Sequence, residues 1–179
     1  MENITIKKAT IHDSKPLQKI SRQTFFETFS QGNTKEDMEQ YLNTSFSEEK
    51  LTAELALSNS AFYFALLDEK VIGYLKVNFG SSQTELQDNN ALEIERIYVL
   101  QAYQGKKVGQ LLYEKAMQVA HQNEVDYVWL GVWEENPRAI RFYQKNGFVE
   151  FDKHIFKLGD DEQIDIMMRK VVKLDALQK

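Results

Sequence analysis

Residues Tyr127–Trp133, reading Tyr-Val-Trp-Leu-Gly-Val-Trp, form an almost unbroken apolar run. So short a run with no polar face suits a strand covered on both sides, because only such a strand can bury both of its alternating rows. Upstream, Val108, Leu111, Leu112, Ala116 and Val119 follow a helical period, and Leu92–Leu100 reads as another strand. Strand, helix and strand in that order close through a right-handed crossover, which sets the two strands parallel and adjacent. Ligands in such sheets gather at the carboxyl ends of the strands. The functional centre is therefore expected just past Leu100 and Trp133.

The flanks supply the other elements. Residues 3–10 alternate weakly through Ile4 and Ile6 and suggest a first strand. His12-Asp13-Ser14 precedes Leu17, Ile20, Thr24, Phe25 and Thr28, a helix capped near Asp13 or Ser14 and broken by Gln31-Gly32-Asn33. Thr34-Lys35-Glu36-Asp37 and Ser47-Glu48-Glu49-Lys50 start two more helices, the second reaching to about Ser58. Ala61–Leu67 and Val71–Phe79, joined at Asp68-Glu69-Lys70, read as an antiparallel hairpin, and polar Gly80–Asn90 as a loop. Phe148–Leu158 and Gln163–Val172, joined at Gly159-Asp160-Asp161, make a closing hairpin. No repeat or linker divides the chain, and residues 1–179 suit one domain. The class is α+β, a mixed sheet with one parallel crossover.

Composition narrows the chemistry. Without cysteine there is no disulfide framework, thiolate nucleophile or thiolate metal site. Three scattered histidines, His12, His121 and His154, offer no metal cluster or catalytic triad spacing, so no metal is expected. A net charge of −5 argues against nucleic acid, which needs a basic footprint. It fits a cationic partner only weakly. No run reaches the roughly 18 apolar residues of a membrane span. Met-Glu-Asn-Ile-Thr-Ile-Lys-Lys has no apolar signal core, so the expectation is a cytoplasmic protein.

Two segments carry chemistry. In Asn136-Pro137-Arg138-Ala139-Ile140-Arg141-Phe142-Tyr143, Asn136 suits an N-cap, Pro137 the first helical position, and Gly147 the stop. Asn136, Ala139 and Tyr143 then share one helix face. That face could line a narrow slot, or Tyr143 could be a core aromatic on a well-punctuated helix. The second segment, Gln104–Gly109, joins a strand to a helix start through Gly105 and Gly109, with Lys106 and Lys107 between them. Free amides at a helix N-terminus can hold a phosphate or pyrophosphate, although two glycines there also serve as a plain turn.

Together these residues resemble the GCN5-related N-acetyltransferases (GNAT). Gln104-Gly105-Lys106-Lys107-Val108-Gly109 after Ile97-Tyr98-Val99 is similar to that family's acetyl-CoA loop, Arg/Gln-x-x-Gly-x-Gly/Ala, and Asn136…Ala139…Phe142-Tyr143…Gly147-Phe148 to its late motif. Thr24–Phe29, Leu92–Tyr98, Trp129–Glu134 and Leu158–Gln163 further resemble PaiA-type spermidine/spermine N-acetyltransferases, so that the likeness covers nearly the whole chain. One position departs: the first loop glycine of the family falls at Lys107, and a glycine sits two residues earlier at Gly105.

The resemblance implies an α/β/α sandwich whose mostly antiparallel sheet has a central parallel strand pair. It implies acetyl-CoA as cosubstrate. The backbone of Ile97, Tyr98 and Val99 would pair with the pantetheine arm, the amides of Lys106–Gln110 would hold the pyrophosphate, Asn136 would hydrogen-bond the arm, and Gln104, Gly105 and Ala139 would also bind the cosubstrate. Tyr143 would be the general acid, with Glu93, ahead of Glu95 on the same strand face, as base unless a water chain removes the proton. Phe25, Glu27, Tyr98, Trp133 and Glu134, with Asp160 and Glu162, are candidates to bind a cationic amine. The reaction expected is direct acetyl transfer to a small amine such as spermidine or spermine. Acetylation of a protein N-terminus or lysine, and a non-catalytic acyl-CoA-binding regulator, are the alternatives. The helices over residues 34–58 would decide access for a peptide. A homodimer is left open.

Overall fold

A computed structural model describes residues 3–173; Met1 and Glu2 of the N-terminal stretch lie outside them. The elements run β1 (Ile4–Lys8), α1 (Ser14–Phe29), α2 (Lys35–Ser45), α3 (Glu48–Leu55), β2 (Ser60–Leu67), β3 (Lys70–Phe79), β4 (Ala91–Val99), α4 (Val108–Gln122), β5 (Tyr127–Trp133), α5 (Pro137–Lys145), β6 (Val149–Leu158) and β7 (Asp161–Val171). The strands form one seven-stranded sheet in the order β1-β2-β3-β4-β5-β7-β6. Every neighbouring pair is antiparallel except β4–β5, the parallel pair that the crossover requires.

Local chemistry explains most boundaries. The Thr34 hydroxyl accepts the Asp37 amide at 3.1 Å and the Ser47 hydroxyl the Lys50 amide at 3.2 Å, capping α2 and α3. α1 starts at Ser14 with Asp13 at the N-cap, as expected, but the cap is of backbone alone. Asp13 makes no side-chain cap to it; its carboxylate turns back to accept the Thr10 amide at 2.8 Å, closing a capping box around a preceding 3-10 turn. In the β2–β3 hairpin, Asp68 and Glu69 both take positive φ (47° and 67°), the backbone that matches strand twist in a two-residue turn.

The sheet separates two cores. α1–α3 pack Leu17, Ile20, Phe25, Met38, Leu42 and Leu51 against Phe62, Phe64 and Tyr74 on one face. α4 packs Val108, Leu112, Ala116 and Val119 against Ile72, Leu75, Leu92 and Val128 on the other, where Tyr143 of α5 joins them.

Two features of β4 place the site. The β3 register jumps between Lys76, opposite Arg96, and Val77, opposite Ile94, so Glu95 is the extra residue of a β-bulge. The bulge shifts the side-chain alternation: Leu92 and Ile94 face the α4 core, and Ile97 and Val99 follow on that face after a gap of three. Secondly, β4 and β5 pair only from Ala91–Ile94 to Tyr127–Leu130. Beyond that point β4 continues beside β3 alone and β5 beside β7 alone, so the two strands part like a fork.

Candidate active site

The fork opens a cleft of about 900 Å³ lined by Ile97, Tyr98 and Val99 on one side, the 104–110 turn below, and α5 on the other side. Residues 97–99 hydrogen-bond to β3 on one edge only, so their other edge offers amide and carbonyl groups to an extended ligand. At the floor, α4 begins at Val108. The amides of Val108, Gly109 and Gln110 therefore point out of the first turn without intrahelical acceptors.

The loop's departure from the family pattern has a structural resolution. Lys107 adopts φ 65° and ψ 12°, the left-handed conformation that a glycine takes without strain. Lys107 lines the cleft, whereas the Lys106 ammonium lies over the Tyr103 ring and Lys106 lines neither cavity. Gly109 has ordinary φ, and a Cβ there would touch only Val99 Cγ2 at 4.0 Å. No protein neighbour requires that glycine, so the space is open to a ligand.

Gln104 and α5 complete the cleft. The Gln104 side chain donates to the Val99 carbonyl at 3.3 Å and accepts from Arg138 at 2.8 Å, which aims a guanidinium into the cleft. Arg138 was not singled out from sequence; the available signal was a cation in the first turn of a helix facing an anion-suited loop. Asn136 caps α5 as expected, its Oδ1 accepting the Ala139 amide at 3.2 Å, which leaves its Nδ2 group to donate elsewhere. Tyr143 is 5% exposed, and burial holds its phenol well above the ordinary range.

A second cavity, of about 290 Å³, lies on the α1–α3 side of the sheet and shares Asn136, Ala139 and Tyr143 with the cleft. Tyr98, Trp133, Ile97 and Thr28 also line both. The predicted α5 face is thus the wall at which the two cavities meet. Phe25 lines the smaller cavity but is a core residue, stacked on Tyr41 with ring centroids 4.5 Å apart.

Four expected amine ligands do not line the smaller cavity. Glu27 lines the larger cleft, where its carboxylate accepts the Gln101 amide at 2.7 Å and anchors the turn after β4. Glu134 is exposed and lines neither cavity, because it follows the end of β5 and its amide pairs with Ile164. Asp160 and Glu162 sit at the exposed β6–β7 turn, away from both cavities.

The two β4 glutamates share a face, as alternation predicted, and Asn78 Nδ2 donates to both at 2.9 Å. Neither is solvated in the ordinary way. Glu95 is gripped by Lys76 and, at 3.6 Å, by Arg96, and Glu54 pairs with both of those cations. Burial opposes its ionisation, but Arg96 and Lys76 outweigh that and hold its carboxyl below the usual range. Glu93 is 3% exposed and accepts from Asn78 and from the Thr84 amide and hydroxyl. With no cation paired to it among the described residues, burial wins and pushes its carboxyl up.

Known proteins agree with this geometry. The model of the acetyltransferase (GNAT) family matches residues 19–148, from α1 through the end of α5. The chain belongs to the GNAT family. A GNAT relative of Lactobacillus delbrueckii subsp. lactis, an uncharacterized N-acetyltransferase, is 39% identical over 172 residues, covering 96% of this chain and 99% of the relative. The spermidine N(1)-acetyltransferase of Thermoplasma acidophilum is 27% identical over 94% of this chain and 97% of its own. The crystal structure of the PaiA N-acetyltransferase from Thermoplasma acidophilum in complex with coenzyme A superposes with a TM-score of 0.78 at 26% identity, over 95% of this chain and 99% of that one. As a GNAT enzyme the protein is an acetyl-CoA-dependent N-acetyltransferase. Among the described residues, no helix is long and apolar enough to cross a membrane.

Proposed function

We propose that this enzyme transfers acetyl directly from acetyl-CoA to a primary amine, and that the amine is a polyamine such as spermidine or spermine. The observation that carries the reading is the meeting of two cavities at one wall, Asn136, Ala139 and Tyr143. A cosubstrate in the larger cavity and an amine in the smaller one would present their reacting atoms to each other there.

Bound acetyl-CoA supplies an acyl group on a thiol leaving group. The free edge of Ile97–Val99 holds the amide-bearing arm by strand addition. The first amides of α4, with Lys107 and Arg138, hold the pyrophosphate. Asn136 Nδ2 donates to the arm. Tyr143, kept protonated by burial, gives its proton to the departing thiolate. Glu93 is the base: its raised carboxyl pKa brings it nearer neutrality, whereas Glu95 is held ionised by Lys76 and Arg96. With no cysteine in the chain, transfer proceeds without a thioester on the protein.

The small amine is supported by the modest size of the second cavity, about 290 Å³, whose lining includes Tyr41 of α2 and Phe46. The spermidine acetyltransferase among the relatives and the carboxylates beside aromatic rings support a polyamine. Incubation with acetyl-CoA and spermidine should release free CoA, read by a thiol reagent that meets no protein thiol here, with acetylated product detected by mass. Silence with spermidine and spermine, alongside turnover of another amine, would overturn the polyamine assignment.

A further inference from the structure

The smaller cavity does not end at the fork. It passes across β5 at Gly131 and reaches Asp165 on β7, with His154 of β6 beyond. Gly131 is what lets it through: it stands between Trp129 and Trp133 on the cavity face, and a Cβ there would lie 3.5 Å from Asp165 Oδ2. A glycine inside a strand costs stability and marks a place where something else approaches the backbone.

Asp165 is the group this gap uncovers. Its side chain is only 20% exposed, yet it accepts no hydrogen bond from any described residue. The nearest cationic candidate, His154 Nδ1, stands at 4.0 Å, beyond hydrogen-bond length, and the opposite ring nitrogen is held by Glu85 at 3.0 Å. A mostly buried carboxylate without donors is costly unless a cation completes it. Burial correspondingly pushes its carboxyl up, with only His154 opposing. Only β5 stands between β4 and β7, and the rings of Trp129, Trp133 and Phe156 line the way.

We propose that Asp165, uncovered by Gly131, holds a second ammonium group of the acceptor amine and so selects long diamines and polyamines over monoamines. This rests on the amine occupying the smaller cavity, as proposed above. The acetylated end sits by Tyr143, the methylenes cross the aromatic rings, and the distal ammonium donates to Asp165.

The test titrates CoA-bound protein calorimetrically with octanediamine and with octylamine, which differ only in the second amine. The wild type should bind the diamine about 10- to 100-fold more tightly, the range of a charge-assisted hydrogen bond to a buried carboxylate. Asp165→Asn should bring the two ligands close to parity. Gly131→Val, a strand-favouring change that refills the gap, should do the same while leaving the fold intact by circular dichroism. A wild type without diamine preference, or an Asp165→Asn protein that keeps it, overturns the subsite. Turnover of the same amines separates this from the broader reading. Equal acetylation of both ends the subsite and leaves amine acetylation standing; diamine preference in binding without any acetylation does the reverse.

Discussion

Replacing Gly109 by aspartate should move stability and ligand affinity in opposite directions. The residue is second in α4, its φ is ordinary, and its new Cβ would meet only Val99 Cγ2 at 4.0 Å. Nothing in the protein resists the change. The helix gains about 0.5–1 kcal/mol because a carboxylate in the first turn meets the positive end of the helix and aspartate loses less backbone entropy than glycine on folding. For a chain of this size that raises Tm by roughly 1–4 °C. The same carboxylate enters the cleft where the pyrophosphate is proposed to lie against the first-turn amides. Bringing like charges together costs several kcal/mol, which is roughly a 100-fold or greater loss in CoA affinity. Thermal unfolding of the free protein and calorimetric titration with CoA read the two effects separately. A more stable protein with unaltered CoA affinity would refute the placement of the pyrophosphate. A less stable one would refute the claim that no protein neighbour needs the glycine.

Other expectations follow from the same geometry. Lys107→Gly should raise stability by up to about 1 kcal/mol in urea unfolding, because it removes a side chain from a left-handed backbone and a cation from a helix N-terminus; a clear loss would refute the strain. Tyr143→Phe should lower kcat by about 100-fold or more while CoA affinity stays within about twofold, since a general acid acts in the transition state; an unchanged kcat removes it from that role. For Glu93, whose folded pKa is raised, the linked stability is fully present below the unfolded carboxyl value of about 4.3 and is lost as pH rises through the folded value. Glu93→Gln removes that loss, so its stability relative to wild type should grow as pH climbs above about 4.3 and then level off. A pH-independent difference would show that Glu93 is not desolvated as described, and undiminished turnover would remove it as the base.

Much of the fold was legible because its signals are local. The caps at Thr34, Ser47 and Asn136, the period of α4 and the apolar run of β5 each lie within a few residues, and the structure reproduces them. The parallel pairing of β4 and β5 followed from the strand–helix–strand order, whose crossover returns the chain to the same end of the sheet. Even the shared face of Asn136, Ala139 and Tyr143 needed only helical geometry. The N-cap of α1 falls at Asp13 as expected, but two local motifs competed for one carboxylate and it accepts the amide of Thr10 instead of an amide of α1. The β4 bulge left a trace, the three-residue gap from Ile94 to Ile97, but one gap does not say which strand absorbs the extra residue.

What the sequence determined by itself was the order of the elements, the handedness of the crossover and the types of group at the cleft. What only the tertiary structure decided was their environment. Glu93 and Glu95 stand two residues apart on one strand, yet Lys76 and Arg96 reach only the second, so their carboxyls shift in opposite directions. Glu27 accepts the amide of Gln101 from far along the chain, and Asp165 drew no notice until Gly131 uncovered it from a neighbouring strand. Caps and periods are contacts between residues close along the chain. Burial, charge pairing and open space arise between residues far apart along it, which meet only when the sheet is assembled.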